Sequence, residues 1–260
     1  MLANRCTGNM LNKVPEVSLI FWTIKIMSTT VGETGADYLA VHVGLGTTVT
    51  GLLMAGLLAV ALIVQLGMKR YVPWIYWLTV VLVSVVGTQI TDLLSDKLEI
   101  SLYVSTAAFS VVLAAIFAVW YAIERTLSIH TIVTTRRELF YWAAILFTFA
   151  LGTAAGDLAT EALGLGFNVG VLVFAALIAA IAAAYALGVD AVLTFWIAYI
   201  LTRPLGASLG DLLSQSREYG GLGLGTIYTS LAFLTVIIAF VAWLSFEGER
   251  AGKTQTLPSN

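Results

Sequence analysis

Apolar residues gather in eight long stretches, near 17–36, 47–68, 73–94, 101–123, 139–160, 167–187, 191–213 and 224–246, separated by short polar or glycine-bearing breaks. A helix needs about 20 apolar residues to cross a bilayer core, so the pattern predicts eight transmembrane helices. Strands of a transmembrane barrel would alternate strictly over about ten residues. Stretches such as VLVFAALIAAIAAAYAL (171–187) do not alternate. The fold expected is an all-α polytopic membrane protein.

Composition agrees with this pattern. Of 260 residues, 59% are hydrophobic and 11% charged, with a mean hydropathy of +0.94, outside the soluble globular range. The first stretch contains Lys25 and Glu33 and has no small-x-small cleavage site after it, so no signal peptide is expected. Cys6 is the single cysteine, which excludes an internal disulfide framework and a thiolate metal cluster within one chain. Outside the stretches, Arg5, Lys13, Lys69, Arg70, Arg125, Arg136, Arg137, Arg250 and Lys253 fall on one side, and Lys97 and Arg217 on the other. Positive residues favour the cytoplasmic side, which predicts both termini there. The expected organisation is an N-terminal arm at 1–14, one membrane domain at 15–246 and a tail at 247–260.

A fourfold repeat lies within the membrane domain, at about 15–70, 71–125, 137–189 and 190–246. Trp22, Trp77, Trp142 and Trp196 each follow a Phe or Tyr, and an aspartate stands fifteen residues after each: Asp37, Asp92, Asp157 and Asp211. Ten residues after each Trp is a glycine (Gly32, Gly87, Gly152, Gly206), and four further on comes Ala36, Thr91, Gly156 or Gly210. Positions i and i+4 share a helix face, so these residues form a small-residue stripe for close helix packing. The slot beside the glycine holds Glu33, Thr88, Thr153 or Ala207, four before each aspartate, which predicts a neighbouring polar face. The Trp ends are expected at the cytoplasmic interface as aromatic anchors. Gly44 to Gly46, Gly164 to Gly166 and Gly220 to Gly225 suit tight outer turns; copy two has Glu99 there, so its turn is expected to differ.

A carboxylate at a helix centre costs about 2.5–3.5 kcal/mol on insertion scales. Glu33 and the four aspartates therefore cannot face lipid, and their surplus over Lys25 and Arg203 favours cations. Lys25 and Arg203 each stand eight residues before an acid, too far for a pair within one helix, so partners across helices are expected. Arg203-Pro204 is expected to interrupt its helix and free backbone carbonyls. With two spans per copy, all four copies enter the membrane in the same orientation, which predicts a pseudo-fourfold or two-plus-two bundle around a polar lining. Thr29, Thr30, Ser84, Thr88, Thr148, Thr153, Thr202 and Ser208 add hydroxyls to it. Oxygen ligands suit protons and hard cations. A metal site, if one forms, is expected at Glu33, Asp37 and Asp211.

The combination of Phe21-Trp22, Thr29-Thr30-Val31-Gly32-Glu33-Thr34 with Asp37, and Thr202-Arg203-Pro204-Leu205-Gly206-Ala207 with Gly210-Asp211 resembles a family of bacterial inner-membrane proteins. That family is built from four tandem two-helix repeats of unknown function, each with a tryptophan. The resemblance runs from Lys13 to about Phe246 and implies a bacterial inner-membrane location; it carries no mechanism. The expected function is cation transport, of a divalent metal such as Mn or Mg or coupled to protons, with the bilayer and a small cationic solute as partners. No nucleic acid and no cofactor beyond such a cation are expected. Gly206-Ala207-Ser208-Leu209-Gly210 formally matches a nucleophile elbow, but it sits inside a span rather than at a strand-to-helix turn, so no enzyme is expected. The alternatives are a nonenzymatic scaffold or sensor and, behind it, an intramembrane aspartyl hydrolase.

Overall fold

A computed structural model describes residues 12–255. Most of the expected N-terminal arm, with Arg5 and Cys6, lies outside the described residues, as do the side chains of Arg250 and Lys253. The described chain contains eight long helices and no strand: α1 (Leu19–Asp37), α2 (Gly46–Gly67), α3 (Pro73–Asp92), α4 (Leu102–Glu124), α5 (Thr135–Asp157), α6 (Gly166–Ala186), α7 (Ala191–Ser214) and α8 (Thr226–Gln255). Seven are long and apolar enough to cross a membrane. The exception is α1, which places Lys25, Glu33 and Asp37 within 19 residues.

Local chemistry sets the helix ends. The Ser18 hydroxyl accepts from the Phe21 N–H, Thr134 from Arg137 and Asp190 from Val192 and Leu193, while Pro73 opens α3 where its missing N–H costs nothing. Thus every odd-numbered helix has a defined start. Three of them pass at their aspartate into a single π-helical turn, Tyr38–His42, Leu93–Lys97 and Leu158–Ala162. The even helices of copies one and three then follow glycines at positive φ, 76° and 74° at Gly44 and Gly46, and 68° and 70° at Gly164 and Gly166. Copy two keeps the left-handed residue without glycine: Glu99 has φ 52°. Its turn departs only afterwards, where Ser101 has φ −54°.

The odd helices form a closed ring in which α1 packs on α3, α3 on α5, α5 on α7 and α7 on α1. Each even helix packs on the odd helix of the following repeat: α2 on α3, α4 on α5, α6 on α7 and α8 back on α1. Burial separates the two classes. At least 56% of the spanning windows of α3, α5 and α7 is buried, against 22% or less for α2, α4, α6 and α8. The even helices therefore form an outer layer with apolar faces turned away from the protein, as a lipid environment requires.

One expectation is corrected. Pro204 does not interrupt α7, which is helical from Ala191 to Ser214. The ring lies against Gly152 and Gly156 of α5, whose missing side chains make room for it. The helix α8 runs on to Gln255, past the end of its apolar span at Gly248, so the stretch expected as a tail begins as helix.

Candidate functional site

The ring seams follow the repeat one slot at a time. A Cβ at Gly32 would strike Ser84, at Gly87 Phe149, at Gly152 Arg203 and at Gly206 Thr29. Each glycine, ten residues after its Trp, thus packs against the residue seven after the next copy's Trp. The second small slot repeats this with the neighbouring residue: the Thr91 hydroxyl donates to the Ala150 carbonyl at 3.1 Å, and Gly156 lies against Pro204 and Gly210 against Thr30. The aromatic pairs do the same. Phe21 meets Trp77 at 5.6 Å, Tyr76 meets Trp142 at 5.5 Å, Tyr141 meets Trp196 at 6.2 Å and Phe195 meets Trp22 at 5.7 Å between ring centroids. Trp77, Trp142 and Trp196 are accordingly buried and Trp22 half-buried.

On the inner face of the ring, positions spaced by four stack into layers of four side chains. From the Trp end they are Phe21, Tyr76, Tyr141 and Phe195; then Lys25, Val80, Ile145 and Tyr199; then Thr29, Ser84, Phe149 and Arg203; then Glu33, Thr88, Thr153 and Ala207; and last Asp37, Asp92, Asp157 and Asp211. The first four layers are buried, whereas Asp37, Asp92 and Asp157 are half-buried and Asp211 is 9% exposed. The axis is filled by buried side chains from the Trp end to the Glu33 layer, and partial exposure begins at three of the four aspartates.

Contacts between diagonally opposite helices mark the axis. Arg203 Nη2 on α7 lies 2.7 Å from Glu33 Oε2 on α1, 2.7 Å from Thr153 Oγ1 on α5, and in a shorter contact with Thr88 Oγ1 on α3. Two N–H groups are thus shared among three acceptors, one from each other repeat. Lys25 reaches across from α1 and stands over two rings, with Nζ 4.3 Å from the centroid of Phe149 and 4.2 Å from that of Tyr199. Among the described residues Arg203 pairs with a carboxylate across helices and Lys25 does not.

A profile described as Repeat of Unknown Function (DUF347) matches residues 20–71, 75–126, 140–187 and 194–249. The chain belongs to this family. Neither a curated protein nor a solved structure matches it. Each DUF347 match begins two residues before one of the four tryptophans, so one repeat comprises one inner and one outer helix. In this chain both the seams and the axial layers are made between copies of the DUF347 repeat.

The acids converge at the open end. Asp157 lies in the electrostatic field of Glu33, Asp211, Glu161 and Asp92, and Asp211 in that of Glu33, Asp37, Glu161 and Arg203. The Gln89 amide donates to Asp92 at 3.3 Å. Glu161 went unremarked in the sequence, although it continues the i, i+4 series one step past Asp157. Among the described residues no three His, Cys, Asp or Glu side chains form a metal-binding group. Glu33 is turned to Arg203 and does not join Asp37 and Asp211 in such a group.

The hydroxyls divide into two sets. Thr29, Thr30, Thr88, Thr153 and Thr202 donate to carbonyls of their own helices. The buried oxygens of Ser84, Thr148 and Ser208 have no hydrogen-bond partner. At the Trp end a second buried ion pair also escaped the sequence reading: Lys13 Nζ to Glu138 Oε2 at 2.6 Å, with the Gln65 amide donating to the other carboxylate oxygen at 2.9 Å. Asn12 accepts from the Tyr71 N–H at 3.0 Å and the Lys13 N–H donates to Ile132 at 3.1 Å. This segment ties three repeats together beside the sealed end.

Proposed function

We propose that the protein is a transporter that moves a cation through the ring axis, with Glu33 exchanging its internal partner Arg203 for cargo. The observation that carries this reading is the order of the axial layers: four aspartates at one end, three of them partly exposed, and directly beneath them one carboxylate held by one guanidinium. All eight helices cross the bacterial inner membrane in this reading, with the repeats in one orientation, both termini cytoplasmic and the aspartates facing outward. The carboxylates concentrate cations at the mouth. A cation or proton reaching Glu33 competes with Arg203, and its arrival frees the guanidinium for the Thr88 and Thr153 hydroxyls already beside it.

The sealed aromatic layers favour a carrier that alternates between faces over an open pore. The donor set favours a proton or a small hydrated or organic cation over a tightly coordinated divalent metal, since no three-acid group is assembled. A scaffold is the second reading, supported by the contacts of Arg203 with Glu33, Thr88 and Thr153, which join helices of all four repeats. Flux separates the two readings. In proteoliposomes, Asp→Asn at Asp37, Asp92, Asp157 and Asp211, singly and together, is expected to reduce cation-dependent dissipation of a pH gradient without loss of folded protein. Parent-level flux in the quadruple variant, or no flux by the parent for protons, alkali or organic cations, would sink the transport reading.

A further inference from the structure

We propose that the sealed middle of the axis binds one small monovalent anion, of halide or formate size, between Lys25 and Arg203. The Lys25 side chain is fully buried, and its nitrogen has no hydrogen-bond partner among the described residues. Two ring faces lie against it. Ring faces offset only part of the cost of desolvating an ammonium ion. Arg203 is equally buried and commits only Nη2, leaving Nε and Nη1 without acceptors. Its Cζ lies 5.8 Å from the centroid of the same Phe149 ring that seats Lys25. The Ser84 and Tyr199 hydroxyls, buried in the same two layers, also lack partners.

The sealed layers therefore hold two basic side chains against one carboxylate, Glu33, together with several N–H and O–H donors that have no acceptor among the described residues. The aspartate layer stands twelve residues beyond Lys25, about 18 Å along a helix. A water molecule would satisfy donors but not charge, whereas one small anion does both. The occupant must be small because Gly152 brings α5 directly against the Arg203 side chain.

This inference does not rest on transport, so the test is equilibrium binding to the full-length protein in detergent. Radiolabelled chloride is expected to bind saturably at one per chain, displaced by bromide and formate but not by gluconate. Formate displacing far better than bromide would identify the carboxylate of an organic solute as the natural occupant. Absence of saturable binding overturns the proposal and leaves Lys25 as a neutral amine. Lys25→Met is expected to weaken binding about tenfold or more, the worth of one hydrogen bond to a charged group. Should that variant not fold, Tyr199→Phe removes one donor with little change of shape and is expected to weaken binding measurably. Unchanged affinity in either folded variant overturns the placement.

Discussion

Arg203 joins the four repeats at a single atom, and its energetics depend on Glu33 being charged beside it. Breaking a buried ion pair from one side costs about 3–5 kcal/mol, because the remaining charge is left uncompensated. Glu33→Gln is therefore expected to lower thermal stability in detergent strongly, and adding Arg203→Met to recover most of the loss. If the double variant is no more stable than Glu33→Gln alone, the pair is not the source of the effect. The acids themselves were legible in the sequence, since a polar residue recurring at fixed spacing in an apolar run stands out. Their partners were not. Spacing along one helix tells which residues share a face but not which helix that face meets, so the crossing from Arg203 to Glu33 could be expected only in kind. Phe149 and Tyr199, which seat Lys25, look like any other apolar positions.

Helix seams explain the glycines. At Gly206 a Cβ would overlap the Thr29 side chain across the seam between α7 and α1, whereas at Gly56 on the outer face of α2 nothing lies within 4 Å. Overpacking costs about 1–3 kcal/mol, and replacing a mid-helix glycine by alanine returns about 0.8–1.0 kcal/mol of helix propensity. Gly206→Ala is thus expected to lower the melting temperature and Gly56→Ala to leave it unchanged or raise it; equal effects would contradict the seam. Helix positions were readable because bilayer thickness sets the length of an apolar run. The continuity of α7 through Pro204 was not, because it depends on space left by Gly152 and Gly156 on another helix. Nor did the sequence reveal that each outer helix packs on the following repeat, since outer helices such as α2 and α6 are apolar on nearly every side.

Interleaving makes the molecule a ring rather than a row. Each repeat leaves its inner helix to be covered by the outer helix before it, and α8 closes the circle on α1. A linear array of repeats can lose its last member and keep the others folded, because stability there is a sum of neighbour terms. A closed ring cannot, since removing α7 and α8 uncovers α1, the helix least able to stand in lipid by itself, and also removes Arg203 from Glu33. Truncation after Gly188 is therefore expected to abolish monodisperse protein in detergent. By the same logic, the bond between copies three and four is no more essential than the contact between copies four and one. Joining the end of α8 to Asn12 through a flexible linker and opening the chain at Gly188 keeps every seam and every axial layer. This permuted protein is expected to elute as the parent does in size-exclusion chromatography and to retain most of its thermal stability. A truncated protein that stays monodisperse while the permuted one aggregates would show that the repeats are held by chain order and not by closure of the ring.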